Sequence, residues 1–270
     1  MIKLNDNEFN DIVYYVKSNY GVNLSQKRML IEGRMQSVLT GKNFNSFSQY
    51  YDFLIKDKTG QVVEQMINKL TTNYTFFMRE ADHFEFFKKE VLPYLEINKS
   101  SGKDFRIWSA GCSSGEEPYT LTMVIDDYFN GLKGNRDTKI LATDISTNVL
   151  NKAKLGIYEN EQLTGLNKLY ITKYFKKIDD NKNEVVDKIK NEVIFRKFNL
   201  MQEAFPFKKK FHVIFCRNVM IYFDLETKKK LIDKFYDSLE YGGYLFIGHS
   251  ESINYRDYNF KYVMPSVYRK

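Results

Sequence analysis

The sequence predicts an α/β fold: a mostly parallel sheet with helices on both faces, preceded by an all-helical unit and carrying a small β-hairpin insertion. Three observations carry the expectation. From about residue 107 onward, short apolar runs alternate with amphipathic segments, the order that parallel strands joined by crossover helices require. Residues 1 to about 70 contain no such runs and repeat apolar positions only at helical spacing. The stretch from Arg106 to Tyr119 reads as a buried strand, a turn punctuated by Gly111 and Gly115, and a helix opening on Glu116, Glu117 and Pro118.

That stretch is how a nucleotide-type pocket begins, because glycines let the backbone approach a ligand and the helix behind them presents unpaired N–H groups. The spacing is G-x-x-x-G rather than the dinucleotide G-x-G-x-x-G, and Glu116 and Glu117 would repel a phosphate. A cationic or hydroxyl-bearing nucleoside suits it better.

With 270 residues and 43% apolar content the chain can bury a substantial core. No stretch approaches the roughly 18 apolar residues a membrane span needs, and no apolar leader follows Met1, so a soluble cytoplasmic protein is expected. The two cysteines, Cys112 and Cys216, and the three histidines at 83, 212 and 249 lack metal-ligand spacing, so no metal is expected. The cysteines read as small residues buried at strand ends. A net charge of +7 implies an acidic partner, whether nucleic acid, anionic membrane or acidic protein surface, or else lysines spread over solvated helix faces.

Taken in order, Phe9, Val13, Val16 and Tyr20 recur at helical spacing up to Gly21. Ser25 is then expected to cap a second helix carrying Met29, Leu30 and Met35 as far as Gly41. Ser46 and Thr59 precede two more short helices. Lys27, Arg28 and Arg34 on the second helix could form a basic stripe for an acidic partner helix, or a solvated face. Thr71 to Glu80 breaks the helix pattern with threonines and aromatics and is a candidate active-site loop, or a structural joint. Asp82 begins a helix through Val91 and Leu95.

Lys139 to Asp144 is a second strand ending in an acid placed to meet ribose hydroxyls, although Asp144 comes about 30 residues after the glycines where dinucleotide folds have about 20. Ser146 caps the next helix. Between about 156 and 190 a short helix from Leu163 to Ile171 and a hairpin from Tyr174 to Val186 are expected. Val193 to Phe198 reads as the next core strand. Phe211 to Cys216 reads as a central one delivering Arg217, Asn218 and Tyr222 to the carboxyl edge, where open α/β sheets bind ligands. A helix with Leu231, Ile232, Phe235 and Leu239 inward, a strand from Tyr244, and a terminal hairpin around Pro265 complete the chain. The expected domains are residues 1–70, a linker and helix over 71–98, and a sheet domain over 99–270.

Asn73–Glu80, Trp108–Ala110 with Ser114–Tyr119, Ala142–Ile145, Phe215–Phe223 and Gly248–Glu251 together resemble the motifs of the chemotaxis receptor methyltransferase family, CheR, over nearly the whole chain and in order. The resemblance implies a class I, Rossmann-like, S-adenosylmethionine-dependent methyltransferase that forms glutamate methyl esters on the cytoplasmic helices of chemoreceptors. By position it implies Asn73, Thr75, Arg79, Glu117, Asp144, Asn199, Leu200, Arg217 and Asn218 as cofactor contacts. Asp144 and Glu117 would hold the ribose and neighbouring polar groups, and Asn199 and Leu200 would flank the adenine. Arg79 and Tyr222 would face the methyl-transfer point.

A glutamate is already ionised at neutral pH, so no general base is required. A guanidinium can clamp a carboxylate with two bonds, which suits Arg79 to positioning; an ion pair with Asp144 or Glu117 is its other reading. The basic stripe Lys27, Arg28 and Arg34 would then steer a monomeric enzyme to acidic receptor helices. Some family members dock a receptor tether on a glycine-rich loop. The corresponding turn here, Lys177 to Glu184, has no glycine, which points to a tether-independent enzyme. A methyltransferase for RNA or a metabolite and a non-catalytic cofactor-binding adaptor are the rival classes.

Overall fold

The computed structural model describes residues 2–72, 74–98, 104–254 and 257–270. The chain divides into two compact units. The first comprises Met1–Tyr74 together with Asn199–Met201 and Tyr222–Lys229; the second holds the remainder.

The first unit is built on α1 (Asp6–Tyr20), α2 (Arg28–Gly41), α3 (Phe47–Lys56) and α4 (Gln61–Leu70). Asn5 and Glu8 form a reciprocal capping box at the start of α1, and Glu8 also accepts the backbone N–H and the hydroxyl of Ser48, each at 2.8 Å, tying α1 to α3. The buried stripe of α1 is Ile12 and Val16, with Phe9 and Val13 only half-buried, so the expected stripe is displaced by a fraction of a turn. The second helix starts later than expected. Asn23 accepts the N–H of Ser25 in a local turn, Lys27 occupies the cap position with no side-chain cap, and Met29 is exposed while Met35 is buried. Ser46 caps α3 as expected, and Thr59 precedes α4, its hydroxyl accepting the Gln61 N–H at 3.2 Å while Gly60 takes the cap position. The segment from Tyr222 belongs to this unit through a bridge between Val22 and Phe223 and a 2.6 Å ion pair between Lys17 and Asp224.

The second unit opens with α5 (Ala81–Phe86), a π turn (Phe87–Val91) and α6 (Leu92–Asn98). Its seven-stranded sheet has the order β6-β2-β1-β7-β8-β10-β9, where β1 is Ile107–Ala110, β2 Ile140–Asp144, β6 Val193–Lys197, β7 Phe211–Cys216, β8 Leu239–Ile247, β9 Lys261–Met264 and β10 Val267–Arg269. The five strands from β6 to β8 are parallel and the last two antiparallel. Crossovers run through α7 (Glu116–Tyr128), α8 (Thr147–Leu155) and α11 (Leu225–Ser238). Every residue of β1 and β7 is buried. One sheet face presents Ile107, Val213, Phe215 and Phe246 to Phe84, Phe87 and Leu121; on the other, Trp108 packs edge-on or tilted against Phe198, Phe205, Phe207, Phe211 and Phe235. The strand over Val193–Lys197, expected in the core, lies at the sheet edge, with no strand paired beyond it among the described residues, and exposes Ile194, Arg196 and Lys197.

The insertion is a separate three-stranded antiparallel sheet, β3 (Ile157–Glu159), β5 (Lys182–Val185) and β4 (Phe175–Lys177), with α9 (Lys168–Tyr174) and α10 (Asp187–Lys190). The hairpin reading missed β3, a strand of three residues too short for periodicity to reveal. Among the described residues no helix is long and apolar enough to cross a membrane.

Candidate active site

Strand order locates the site. From β1 the chain proceeds outward to β2 and β6, then returns to β1's other side with β7 and β8, so the topological switch lies between β1 and β7. Ligands bind in the crevice outside the carboxyl ends of strands at such a point. Four segments end there: the turn 111–115 after β1, Asp144 closing β2, Arg217–Asn218 after β7, and Gly248–Glu251 after β8.

The first turn is shaped by steric necessity. Gly111 sits at φ +85°, and a Cβ there would fall 2.4 Å from Cγ2 of Val219. Its N–H donates to the carbonyl of Thr143 at 2.8 Å, fastening the β1 turn to the end of β2. Asp144 accepts the N–H of Ser113 on one oxygen and that of Ser146 on the other, both at 2.9 Å, which fixes the plane of its carboxylate at the strand end. The two glutamates opening α7 part company. Glu116 is buried and turned inward, accepting from the Ser114 hydroxyl at 2.8 Å, whereas Glu117 accepts the Ser109 hydroxyl at 2.7 Å and an Arg217 N–H at 3.3 Å.

Arg217 is the centre of the cluster, with 2% of its side chain exposed. It pairs with Glu80 at 3.1 Å and Glu117 at 3.3 Å, donates to the carbonyl of Arg79, and lies 5.2 Å from the Phe84 ring centroid. Burial lifts the pKa of Glu117 above the ordinary carboxylate range against the pull of Arg217. Glu80 is held the other way. Burial would raise its pKa, but the Arg217 guanidinium, the His249 N–H and the Asn218 amide together bring it below the usual value. Both thiols, Cys112 and Cys216, are buried and pushed well above a normal cysteine pKa by that burial, so neither is a nucleophile at neutral pH.

A second carboxylate organises the loop itself. Glu251 accepts the N–H groups of Asn218 at 3.0 Å, Gly248 at 2.7 Å and Ile221 at 3.1 Å, joining the turns after β7 and β8. Asn218 is left-handed at φ +59°, and Gly248 leaves room for it: a Cβ at 248 would stand 2.5 Å from Asn218 Nδ2.

The structure therefore brings Arg79 (through its carbonyl), Glu117, Asp144, Arg217 and Asn218 to one sheet edge. Thr75 is half-buried in the same unit, and Asn73 lies outside the described residues. Tyr222, Asn199 and Leu200 fall in the first unit. The Tyr222 hydroxyl accepts the Thr72 N–H at 3.0 Å and donates to the Thr72 carbonyl at 3.1 Å; Asn199 donates to the Asn19 carbonyl at 2.8 Å and accepts from Met201 N–H, and Leu200 is buried. Of the basic stripe, Arg28 is taken up by Asp6 at 2.6 Å and the Leu4 carbonyl, and Arg34 donates to the carbonyls of Lys69 and Thr71, while Lys27 is exposed. Sequence reading missed Glu80 and Glu251 as organising groups. Each stands inside a quoted motif, but only the fold reveals that Glu80 reaches Arg217 and Asn218 across 137 and 138 positions of chain.

Two family profiles cover the chain: "CheR methyltransferase, all-alpha domain" over residues 7–71 and "CheR methyltransferase, SAM binding domain" over residues 73–268. The chain is 45% identical to a chemotaxis protein methyltransferase of Borreliella burgdorferi, covering 100% of this chain and 96% of that protein. It is 35% identical to a probable chemotaxis protein methyltransferase of Rhizobium etli, with 88% and 90% covered, and 33% identical to the chemotaxis protein methyltransferase of Escherichia coli, with 99% and 92% covered. The crevice fits the cofactor this implies, being acidic where a phosphate site would be basic and closed to side chains at Gly111. The chain belongs to the CheR methyltransferase family, and it is an S-adenosylmethionine-dependent methyltransferase of chemotaxis.

Proposed function

We propose that this enzyme forms methyl esters on glutamate side chains of the cytoplasmic helices of chemotaxis receptors. The observation that supports it best is the likeness of the whole chain, helical unit included, to chemotaxis methyltransferases. The chemistry of the crevice agrees. S-adenosylmethionine supplies an electrophilic methyl group on a sulfonium. A glutamate has a reference pKa near 4.3, so roughly 99% or more is already the nucleophilic carboxylate at neutral pH and the protein need not deprotonate it.

What the protein contributes is placement, which can account for about 7–11 kcal/mol of a barrier. Glu117 and Asp144 hold the ribose and neighbouring polar groups of the cofactor, with Asn73, Thr75, Arg217 and Asn218 completing its contacts and Asn199 and Leu200 flanking the adenine. Arg217 pairs with Glu80 and Glu117. Arg79 clamps the substrate carboxylate. Tyr222, bonded to the backbone of Thr72, acts by holding the chain beside Asn73. Lys27 and its neighbours steer the encounter with acidic receptor helices by a monomeric enzyme that needs no receptor tether.

The test is transfer of labelled methyl from S-adenosylmethionine to chemoreceptor-containing membranes, read as base-labile ester released as methanol. Label with the native chain and at least about a hundredfold less with Arg79→Ala is the expected outcome for a residue that orients the nucleophile. Cofactor binding with no ester on any receptor overturns the substrate, and full activity of the Arg79 variant overturns the role.

A further inference from the structure

His83 and His249 stand 166 positions apart and are brought together at the edge of the cofactor crevice, with ring centroids 4.6 Å apart and planes at 82°. His83 is fully buried, and its Nδ1 has no hydrogen-bond partner. That nitrogen lies 3.5 Å from Oε2 of Glu80, while Nε2 of the same ring lies 3.5 Å from the carbonyl of Pro265. A neutral imidazole carries one N–H only. Either tautomer then leaves a lone pair facing an oxygen. If Nε2 donates to Pro265, Nδ1 and Glu80 confront each other as two acceptors, the arrangement that a cation between them relieves.

We infer that Glu80, His83 Nδ1 and His249 form a binding site for a divalent cation of the zinc type. Their ligand atoms all lie within 4.8 Å of one another. The 3.5 Å between His83 Nδ1 and Glu80 Oε2 matches two donors sharing one ion at about 2.1 Å each in near-tetrahedral geometry. Two imidazoles and a carboxylate select zinc, nickel or cobalt over calcium or magnesium. The outer partners are those of metal-bound histidines. The far nitrogen of His83 faces a backbone carbonyl, and Nε2 of His249 lies 3.1 Å from Asp82 Oδ2, an arrangement that fixes ring orientation and tautomer. Glu80 and Asp82 place carboxylates beside the two rings, and the His249 side chain, 42% exposed, provides a route from solvent.

The consequence is regulatory. Glu80 also holds Arg217, Asn218 Nδ2 and the His249 N–H. A metal that draws its carboxylate away loosens the two cofactor-contacting residues, so zinc and S-adenosylmethionine bind antagonistically.

The experiment titrates the full chain, free of any affinity tag, with cobalt(II) chloride in a non-chelating buffer, following visible d–d absorption and its displacement by zinc chloride. One metal per chain is expected, with affinity weakened on the order of tenfold or more in His249→Ala, whose exposed position keeps the fold intact by circular dichroism. The dissociation constant for S-adenosylmethionine should rise with zinc in the native chain and stay level in that variant. Equal cobalt affinity in both chains overturns the site. So does no binding at all.

Discussion

Arg217 is a guanidinium sealed from water between two carboxylates, Glu80 and Glu117. Such a triad adds little to stability as a whole, but breaking it strands charge. Arg217→Met should destabilise the chain by about 3–5 kcal/mol in urea titration, because it leaves two half-buried acids facing each other. Glu80→Gln should cost less and show instead as weakened cofactor affinity. An Arg217→Met chain that unfolds at the native urea concentration would mean the acids are hydrated. At Gly111, alanine meets both a left-handed backbone and the Val219 methyl, so Gly111→Ala should lose about 1–3 kcal/mol and raise the cofactor dissociation constant.

Between elements, the decisive contacts are carboxylates that accept backbone N–H groups. Glu251 knots the turns after β7 and β8. Glutamine in its place brings two N–H donors against N–H groups and should cost about 1–3 kcal/mol, read by thermal and urea unfolding, with the KM for S-adenosylmethionine raised. Asp224 behaves as a surface counterpart. The Lys17 ammonium and the Thr227 N–H lower its pKa to about 2, so its contribution is present above the unfolded value of about 3.9 and is lost as pH falls toward 2. Because Lys17 is nearly half exposed, the contribution is screened to about 1 kcal/mol. The unfolding curves of the native chain and Asp224→Asn should therefore differ at pH 5 and converge as pH falls through that window. A constant gap would show that Asp224 acts through packing rather than charge.

For the molecule as a whole, the +7 charge matters in encounter rather than in folding. Arg28 and Arg34 are already engaged by Asp6 and by backbone carbonyls, so reversing them would disturb the helical unit along with any partner contact. Exposed Lys27 separates the two effects. Lys27→Glu should raise the KM for receptor membranes at low salt, less so at ionic strengths where the Debye length falls below about 8 Å, while leaving the melting temperature and cofactor affinity unchanged. Unaltered receptor kinetics at low salt would remove the stripe from partner recognition.

The sequence by itself determined the sheet class, the turn at Gly111, the acid at the end of β2 and the segments that carry the family motifs. Apolar runs, glycines and caps are local and leave a periodic trace. It did not determine that Val193–Lys197 is an edge, that Ile157–Glu159 is a strand, or that Met29 faces solvent, because these depend on what lies across the chain rather than along it. The same holds for charge. Sequence reading distinguished neither the buried Glu116 from the ion-paired Glu117, nor the committed Arg28 from the exposed Lys27. It placed the histidines apart, and only the folding of β8's end against α5 set His249 beside His83 and Glu80. Electrostatic partnerships fall off with distance in space, not with separation in sequence, so they are decided by tertiary structure alone.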